Sequence, residues 1–189
     1  MKARNENAVS ASVSAVPTVV IDTREQKPLE FSRLTAIRGT LHTGDYSVQG
    51  LEGVVAVERK SVPDMVNSLT KERARFMAEI ERMRGYWFRR LAVIGSPTEL
   101  QTVLNRRRVT LNTIAGNLAK LDALVPLVFF STPEAAARGV EAWFSCVWAI
   151  CCSQVGAKVY QPEWAREDVM SRWKAACHQS CAMRAGKEG

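Results

Sequence analysis

Residues 54–64 of this 189-residue chain, VVAVERKSVPD, constrain the fold more than any other segment. The first four are apolar and mostly β-branched, which predicts a buried strand. Glu58, Arg59 and Lys60 end this strand, although charged residues are uncommon in strand interiors. Ser61 then offers an N-cap with a proline in the first turn, so a helix should begin there. The chain therefore places an acid and two bases at the edge of its own core.

The other segments predict strands and helices that build one sheet. Strands are expected at 18–21 (ending at Asp22), 39–48, 53–60, 91–94 and 127–130, and helices at 61–83, after Ser96, at 111–124 and after Thr132. A Gly-containing turn at 49–50 joins the second and third strands into an antiparallel pair. Strands then alternate with helices, which indicates an α/β fold with a mixed central β-sheet flanked by helices.

Composition bounds the domain organisation and the cellular context. Residues 18–152 are expected to form one domain, between a polar, disordered segment 1–17 and a partly helical tail 153–189. No apolar run reaches the roughly 18 residues that span a bilayer, and the N-terminus lacks the apolar core of a signal peptide. We therefore expect a cytoplasmic or nucleoid-associated protein with reduced cysteines and no membrane partner. A Cys–His group at 177–181, together with Cys151 and Cys152, could suggest zinc, but its spacing is not the usual pair of Cys-x-x-Cys knuckles, and small buried cysteines are the alternative.

The positive charge of the chain is concentrated in one part of the sequence. The formal net charge is +7, and residues 71–108 hold ten Lys or Arg against four Glu. A concentrated basic surface favours a polyanion as partner, and nucleic acid is the commonest one. The alternative is a solvated helix face on which Glu72 pairs with Arg75 and Glu79 with Arg82. Charge alone does not decide between these two interpretations.

The charged end of the segment VVAVERK predicts a specific chemistry. Side chains alternate across a strand, so Glu58 and Lys60 share one face and Arg59 takes the other. Asp45, in the preceding strand, can lie alongside Glu58, and Asp22 can add a third carboxylate. Carboxylates bind a hard divalent cation such as Mg²⁺, which stabilises charge on a phosphodiester, while a lysine orients the attacking water. The alternative is a surface ion pair between Glu58 and Lys60, which contributes little.

Three blocks of sequence occur together in a fixed order. They are Val-Ile-Asp-Thr-Arg-Glu at 20–25, Gly-Asp-Tyr at 44–46, and Val-Glu-Arg-Lys-Ser-Val-Pro-Asp at 57–64. Together they resemble the nuclease domain of the XPF family of structure-specific endonucleases, and the similarity covers about residues 18–150. Three blocks in this order are far more specific than any one of them alone.

The resemblance implies a restriction-endonuclease-like (PD-(D/E)XK) nuclease fold. It also implies cleavage of one strand of branched or flapped DNA near a junction, as in DNA repair or recombination, with Mg²⁺ or Mn²⁺ as cofactor. By position, the metal ligands would be Asp22, Asp45 and Glu58, and the catalytic residues Asp45, Glu58, Arg59 and Lys60. Residues expected to support the site or bind phosphate are Arg24, Glu25 and Asp64, although Asp64 also suits a helix N-terminus. Residues expected to bind DNA are Lys71, Arg73, Arg75 and Arg84.

The chain departs from the family pattern after the nuclease domain. Family members commonly carry a tandem helix-hairpin-helix domain, whereas only 25 residues follow Trp164 here, without Gly-rich hairpins. We therefore expect DNA to be held by the basic face of the chain, or by a heteromeric partner that supplies DNA-binding modules. The apolar helix after Thr132 predicts a homodimer, or else packing in the core, through Trp143, Phe144, Val147 and Trp148.

Two other functions fit parts of the sequence. One is a catalytically silent DNA-binding subunit of a nuclease complex, but this chain keeps every acid of the motif. The other is a different PD-(D/E)XK enzyme, such as a resolvase or a restriction-type nuclease. The triplet Glu58-Arg59-Lys60, in place of Glu-x-Lys with a free middle residue, argues against that second alternative.

Overall fold

A computed structural model of the chain describes residues 16–154. The expected disordered segment 1–17 and tail 153–189, with the Cys–His group at 177–181, fall almost entirely outside this part. Within the described residues, no helix combines the length and the apolar character that crossing a membrane requires.

Six strands and five helices make up residues 16–154. The strands are β1 (Val19–Asp22), β2 (Ala36–Gly39), β3 (Tyr46–Val48), β4 (Val55–Ser61), β5 (Phe88–Ile94) and β6 (Leu127–Phe130), and the helices are α1 (Val62–Thr70), α2 (Arg73–Met83), α3 (Pro97–Arg107), α4 (Leu111–Leu124) and α5 (Pro133–Gln154). The sheet has the order β2-β1-β3-β4-β5-β6. Strand β3 is antiparallel to β1 and β4, whereas β1 runs parallel to β2, and β4 to β6 are parallel. The expected α/β fold with a mixed sheet is confirmed.

Hydroxyl side chains form the helix starts that the sequence predicts. Ser61 Oγ accepts a hydrogen bond from Asp64 N at 3.2 Å, and Ser96 Oγ accepts one from Glu99 N at 3.0 Å. Thr132 Oγ1 accepts in the same way from Ala135 N at 3.2 Å. Each bond satisfies a backbone donor of the first turn that has no partner inside the helix, and so fixes where the helix begins.

The sheet is covered on both faces. Helices α1 to α4 pack on one face, where Ala56 of β4 meets Leu91 and Val93 of β5. Helix α5 covers the other face, to which β4 contributes Val55 and Val57. Strand β4 is therefore buried on both faces, which explains its nearly continuous apolar sequence. Its polar side chains emerge only where the strand reaches the edge of these two layers.

Helix α5 belongs to the core of the chain. Phe144 and Val147, two of the predicted interface residues, are fully buried against the sheet. Trp143 and Trp148 pack against the same cluster and remain partly exposed. Of the predicted interface residues, only the two tryptophans could contact another chain, because Phe144 and Val147 are buried in the core.

Glu141 on α5 orders the loop between β1 and β2. Its side chain is fully buried, and Oε1 accepts hydrogen bonds from the backbone N atoms of Ser32, Arg33 and Leu34 at 2.7, 2.7 and 3.3 Å. These three bonds tie the backbone of the loop to the helix. Helix α5 thus fixes a loop whose first residues belong to the predicted site.

The single helix predicted over residues 61–83 is wrong, because the structure has two helices there. The backbone N–H groups of Lys71 and Glu72 both donate to Asn67 O, at 2.9 and 3.2 Å, and close the end of α1. Helix α2 then starts at Arg73. Buried apolar residues continue on both sides of the break, so the periodicity of the sequence could not reveal it.

The strand predicted over residues 39–48 is wrong in extent. The structure has two separate strands, β2 and β3, with a loop at 40–45 between them. Strand β2 lies at the edge of the sheet, and three of its four residues are exposed. An exposed edge strand needs no apolar face, so its sequence AIRG carries little of the strand pattern.

Candidate active site

The turn at Gly44 brings Asp45 against β4. Tyr46 pairs with Val57 in the antiparallel β3–β4 ladder, and Asp45 N donates to Val57 O at 2.8 Å. Asp45 therefore lies opposite Glu58, as the sequence predicts. The φ angle of Gly44 is 79°, and a Cβ atom there would lie 3.0 Å from Val57 O. Glycine is needed for this close approach of the two strands.

The three charged residues at the end of β4 point in the directions that strand alternation predicts. Lys60 Nζ donates to Glu58 Oε1 at 3.0 Å. Arg59 instead binds Glu25, with Nε 3.2 Å from Oε2 and Nη2 3.1 Å from Oε1. The backbone N–H of Arg59 also donates to Asp45 Oδ2 at 2.7 Å. Arg59 thus orders two acids, while its side chain stays apart from the Glu58–Lys60 pair.

The carboxylate of Asp22, at the end of β1, is engaged within the chain. Arg24 donates from Nε to Oδ1 at 2.7 Å and from Nη2 to Oδ2 at 3.0 Å, and Leu41 N donates to Oδ2 at 2.8 Å. The Arg24 hydrogen bond is the main reason that the pKa of Asp22 falls to about 2. Asp22 is therefore ionised, but its oxygens are shared with a side chain that is 68% exposed. Arg24 would have to move aside for Asp22 to hold a metal.

Glu58 is buried and Asp45 is half-buried, and the carboxyl groups of both have raised pKa values. Burial raises the pKa of Asp45 to about 6 and that of Glu58 to about 8, and the charge of Asp45 adds to the second shift. Burial also disfavours the charged form of Lys60, but the charge and hydrogen bond of Glu58, with the charges of Glu79 and Asp45, together outweigh it and raise the pKa of the lysine. Burial and the neighbouring acid thus disfavour two negative charges at this site, and a bound cation would offset both effects by favouring the ionised forms.

An open, polar cavity of about 600 Å³ exposes this group of residues to solvent. Its lining consists of Asp22, Arg24, Glu25, Gln26, His42, Thr43, Gly44, Asp45, Glu58, Asp64, Arg75, Glu79 and Arg82. A second cavity of about 240 Å³ lies beside it and is lined in part by Lys60 and Asn67. Asp64 and Arg75 line both cavities, so the two are adjacent.

A family model and solved structures match this chain. The model of the ERCC4 domain matches residues 21–141, which contain every residue that lines the larger cavity. The chain belongs to the ERCC4 domain family. The resemblance to the XPF family that the sequence motifs indicate is thereby confirmed.

Two solved structures show the fold of this ERCC4 domain. One is XPF from Aeropyrum pernix, with 24% identity, a TM-score of 0.55, and an alignment that covers 69% of this chain and 61% of that chain. The other is XPF from Aeropyrum pernix in complex with DNA, with 22% identity, a TM-score of 0.52, and coverage of 73% and 66%. The alignments span under two thirds of these chains, and they confirm the restriction-endonuclease-like nuclease fold. No curated protein matches the sequence.

The ERCC4 domain presents oxygen ligands suited to a hard divalent cation. Asp45 and Glu58 lie opposite each other at an open, polar cavity, and their carboxylate oxygens fit Mg²⁺ or Mn²⁺. Within residues 16–154, no three acidic, histidine or cysteine side chains are close enough together to hold an ion. Asp45 and Glu58 therefore fit the cation as a pair, and Asp22 stays a predicted ligand.

Helix α2 contributes residues that the sequence analysis did not assign to the site. Arg75, Glu79 and Arg82 all line the larger cavity, and Arg75 alone was predicted. Their spacing of four and three residues puts them on one helix face, and this periodicity was the available signal. The cavity also includes His42 and Thr43, which carry no motif of their own.

The other predicted DNA-binding residues lie outside the lining of the larger cavity. Lys71 is exposed at the end of α1, and Arg73 Nε donates to Asn117 Oδ1 on α4 at 2.9 Å. Arg84 pairs with Glu81 at 3.4 Å on the exposed side of α2.

Asp64 combines a structural position with a place at the cavity. Ser61 Oγ donates to Asp64 Oδ2 at 2.7 Å, and Asp64 N donates back to Ser61 Oγ at 3.2 Å. This reciprocal pair is a helix cap, which is the structural alternative for Asp64 that the sequence offered. The same side chain borders both cavities, so it stays a candidate to support the site.

Proposed function

We propose that this ERCC4 domain is a metal-dependent DNA endonuclease that hydrolyses phosphodiester bonds in one strand of branched or flapped DNA, near a junction. The observation that carries the proposal is the pairing of Asp45 with Glu58, next to Lys60, at an open polar cavity. Membership of the ERCC4 domain family supports it. The structurally similar XPF from Aeropyrum pernix forms a complex with DNA, which supports DNA as the substrate.

Asp45 and Glu58 would hold Mg²⁺ or Mn²⁺ through their carboxylate oxygens, and Asp22 would join them if Arg24 released it. When bound, the ion supplies positive charge that stabilises negative charge on the phosphodiester. The backbone N–H of Arg59 keeps Asp45 in place for this task. The raised pKa values of both acids describe the metal-free protein, and a nearby cation lowers them because it favours the ionised forms.

Lys60 would act on the reacting groups. Its ammonium is held by Glu58 at 3.0 Å and lies 4.6 Å from the centre of the Phe76 ring. An ammonium has three N–H donors, so two remain for a phosphate oxygen or the attacking water. Arg59 is a positioning residue, because its side chain binds Glu25 and not the Glu58–Lys60 pair.

Basic residues around the two cavities would hold the DNA backbone. Arg75 and Arg82 line the larger cavity, and Arg75 also borders the smaller one. Lys71, Arg73 and Arg84 would make outlying phosphate contacts. Contacts of this kind position the DNA without reading its sequence, which suits an enzyme that recognises DNA structure.

Cleavage of a panel of DNA substrates tests the proposal. Labelled flap, fork, four-way and linear DNA are incubated with the full chain in Mg²⁺, in Mn²⁺ or in EDTA. We expect one-strand cuts near the junction of the branched substrates, dependent on the ion. Asp45→Asn and Glu58→Gln should each abolish cutting, because a neutral amide replaces a charged ligand, and should leave DNA binding intact.

Glu52→Gln, at the turn that precedes β4, is the matched control and should cut like the unaltered chain. Cutting that persists in Asp45→Asn with Glu58→Gln would contradict the assignment of the site. DNA binding with no cutting of any substrate would instead favour the silent DNA-binding subunit.

We also propose that the chain forms a homodimer through the exposed parts of α5, with a heteromeric partner as the alternative. Trp143 and Trp148 remain partly exposed on this helix, and Ile150 is 45% exposed. Large side chains of this kind are enriched at interfaces. Sedimentation velocity should show a dimer for the unaltered chain. Trp148→Ala should dimerise more weakly, with a smaller fraction of dimer at the same concentration. A monomer at all concentrations would contradict the homodimer.

A further inference from the structure

Three consecutive arginines lie at the end of α3, outside both cavities. Arg106, Arg107 and Arg108 are exposed, and helix α3 packs against α1, the helix that follows directly from the end of β4. Within residues 16–154, neither Arg106 nor Arg108 forms an ion pair. Three guanidinium groups are thus presented to solvent at one position, close to the candidate active site.

Asn67 joins this arginine group to the wall of the smaller cavity. Its Oδ1 accepts a hydrogen bond from Arg107 Nη1 at 3.1 Å, and its Nδ2 donates to Glu72 Oε1 at 2.8 Å. Asn67 lines the same cavity as Lys60 and Arg75. Arg107 therefore contacts a residue of the cavity that Lys60 also lines.

The turn between α1 and α2 extends the same basic surface. Lys71 and Arg73 are exposed there, and Arg73 is steadied by Asn117 of α4 at 2.9 Å. The acid at this turn is Glu72, which is already paired with Arg75. Positive charge thus exceeds negative charge along a surface contributed by α1, α2 and α3, which is the electrostatic footprint of a nucleic-acid backbone.

The helix end by itself does not account for the arginines. Cations are favourable near a helix C-terminus, and this explains Arg106 and Arg107 in part. Arg108, however, has a φ of 54°, in the left-handed region where glycine is the usual residue. An arginine placed there keeps a charge at a position where the backbone favours a residue without a side chain.

We propose that Arg106, Arg107 and Arg108, together with Lys71 and Arg73, form a second backbone-binding surface that holds a duplex arm of the DNA on the Lys60 side of the cut. This inference rests on the proposed function, because the cut defines which arm is meant. A guanidinium binds a phosphate through two parallel N–H groups, so exposed arginines suit a run of successive phosphates.

Helix α1 separates the arginine group from the end of β4. Six residues of helix α1 separate Ser61 from Asn67, a rise of about 9 Å. DNA bound at Lys60 therefore has to extend past Asn67 to reach Arg107.

Binding measured in EDTA tests the surface separately from cleavage. The variant Arg106→Ala with Arg108→Gly removes two charges, and glycine suits the left-handed end of α3, so the helix is retained. The control is Arg33→Ala with Arg138→Ala, which removes two charges from the side of the sheet that α5 covers. Circular dichroism checks folding, and Arg106→Gln alone serves as a milder variant.

Fluorescence anisotropy with a labelled flap DNA at several KCl concentrations gives the salt dependence of affinity. We expect the slope of log affinity against log salt to fall by about 1.8 in the arginine variant, since each phosphate contact contributes about 0.9, and to stay unchanged in the control. The difference in slope between the arginine variant and the unaltered chain should vanish when the duplex arm that contacts the arginines is replaced by a single strand. An unchanged slope, or an equal loss for DNA without a duplex arm, overturns the inference. Binding is measured in EDTA, where no cutting is expected. Absence of cleavage in Mg²⁺ would therefore contradict the proposed function without changing this binding result.

Discussion

In the triplet Glu58-Arg59-Lys60, neighbouring side chains of one strand contact different partners. Alternation across β4 sends Glu58 and Lys60 to one face, where they contact each other at 3.0 Å, and Arg59 to the other. This part of the site is predictable from sequence, because alternation is local. The partner of Arg59 is not, since Glu25 lies 34 residues earlier and no local rule connects the two.

The Arg59–Glu25 pair gives a prediction about stability. Glu25 and Arg59 are 6% and 18% exposed, so Arg59→Ala leaves a buried carboxylate without its cation. We expect a loss of about 3 kcal/mol in the free energy of unfolding, measured in urea. The double variant with Glu25→Gln should recover part of this loss, because no unpaired charge remains. A loss in the double variant equal to the sum of the losses in the two single variants would show that the pair is not coupled.

The raised pKa values give a prediction about pH. Without metal, folded Glu58 keeps its proton up to about pH 8, whereas an unfolded chain loses it near 4.5. The folded state then binds more protons, so stability is greatest below about pH 4.5 and falls as the pH rises to about 8. Asp45 lowers stability in the same way as the pH rises to about 6. Asp22 has the opposite effect on stability, but only below its ordinary pKa of 3.8.

Thermal unfolding in EDTA measures this effect. The melting temperature should fall by at least about 4 °C between pH 5 and pH 8, and Glu58→Gln should flatten that slope. Addition of Mg²⁺ should stabilise the chain most at pH 8, because the carboxylates that bind it are then ionised most easily. A melting temperature that rises from pH 5 to pH 8 in EDTA would contradict the assignment of Glu58.

At the scale of elements, helix caps and buried strands were easier to predict than breaks and edges. Ser61, Ser96 and Thr132 cap helices as expected, because capping depends on a few adjacent residues. The end of α1 and the edge strand β2 escaped prediction. The first lies within a continuous apolar pattern, and the second is an exposed strand without an apolar face.

A comparison of two glycines gives a prediction, since Gly44 lies in the loop between β2 and β3 and Gly50 in the turn between β3 and β4. Gly44 and Gly50 have nearly the same φ, 79° and 82°, but a Cβ at Gly44 meets Val57 O at 3.0 Å, whereas Gly50 has open space. Gly50→Ala should therefore cost about 1 kcal/mol, from the left-handed backbone alone. Gly44→Ala should cost more and also lower activity, because it displaces Asp45 from β4.

Urea unfolding and metal-dependent cleavage of both glycine variants separate the two effects. Gly50→Ala should keep full activity at a temperature where it is folded. Equal stability and equal activity of the two variants would show that the close approach of Gly44 to β4 has no role in the site.

At the scale of the whole molecule, the order of the sheet creates the site. Strand β3 lies between β1 and β4, so the acids Asp22, Asp45 and Glu58 line one cavity although 36 residues separate the first from the last. Helix α2 crosses near this edge and adds Arg75, Glu79 and Arg82 to the cavity. Sequence patterns predict the strands, but the order of strands depends on long-range pairing, and the contribution of α2 follows from its packing.

The central claim is that Asp45 and Glu58 hold one divalent ion beside Lys60. A crystal of the chain soaked in Mn²⁺ tests this most directly, because the anomalous signal locates manganese without assumptions about ligands. We predict a peak within about 2.5 Å of a carboxylate oxygen of both residues, and its loss in Asp45→Asn. A peak that contacts neither side chain, or no peak at a Mn²⁺ concentration that supports cleavage, would contradict the account.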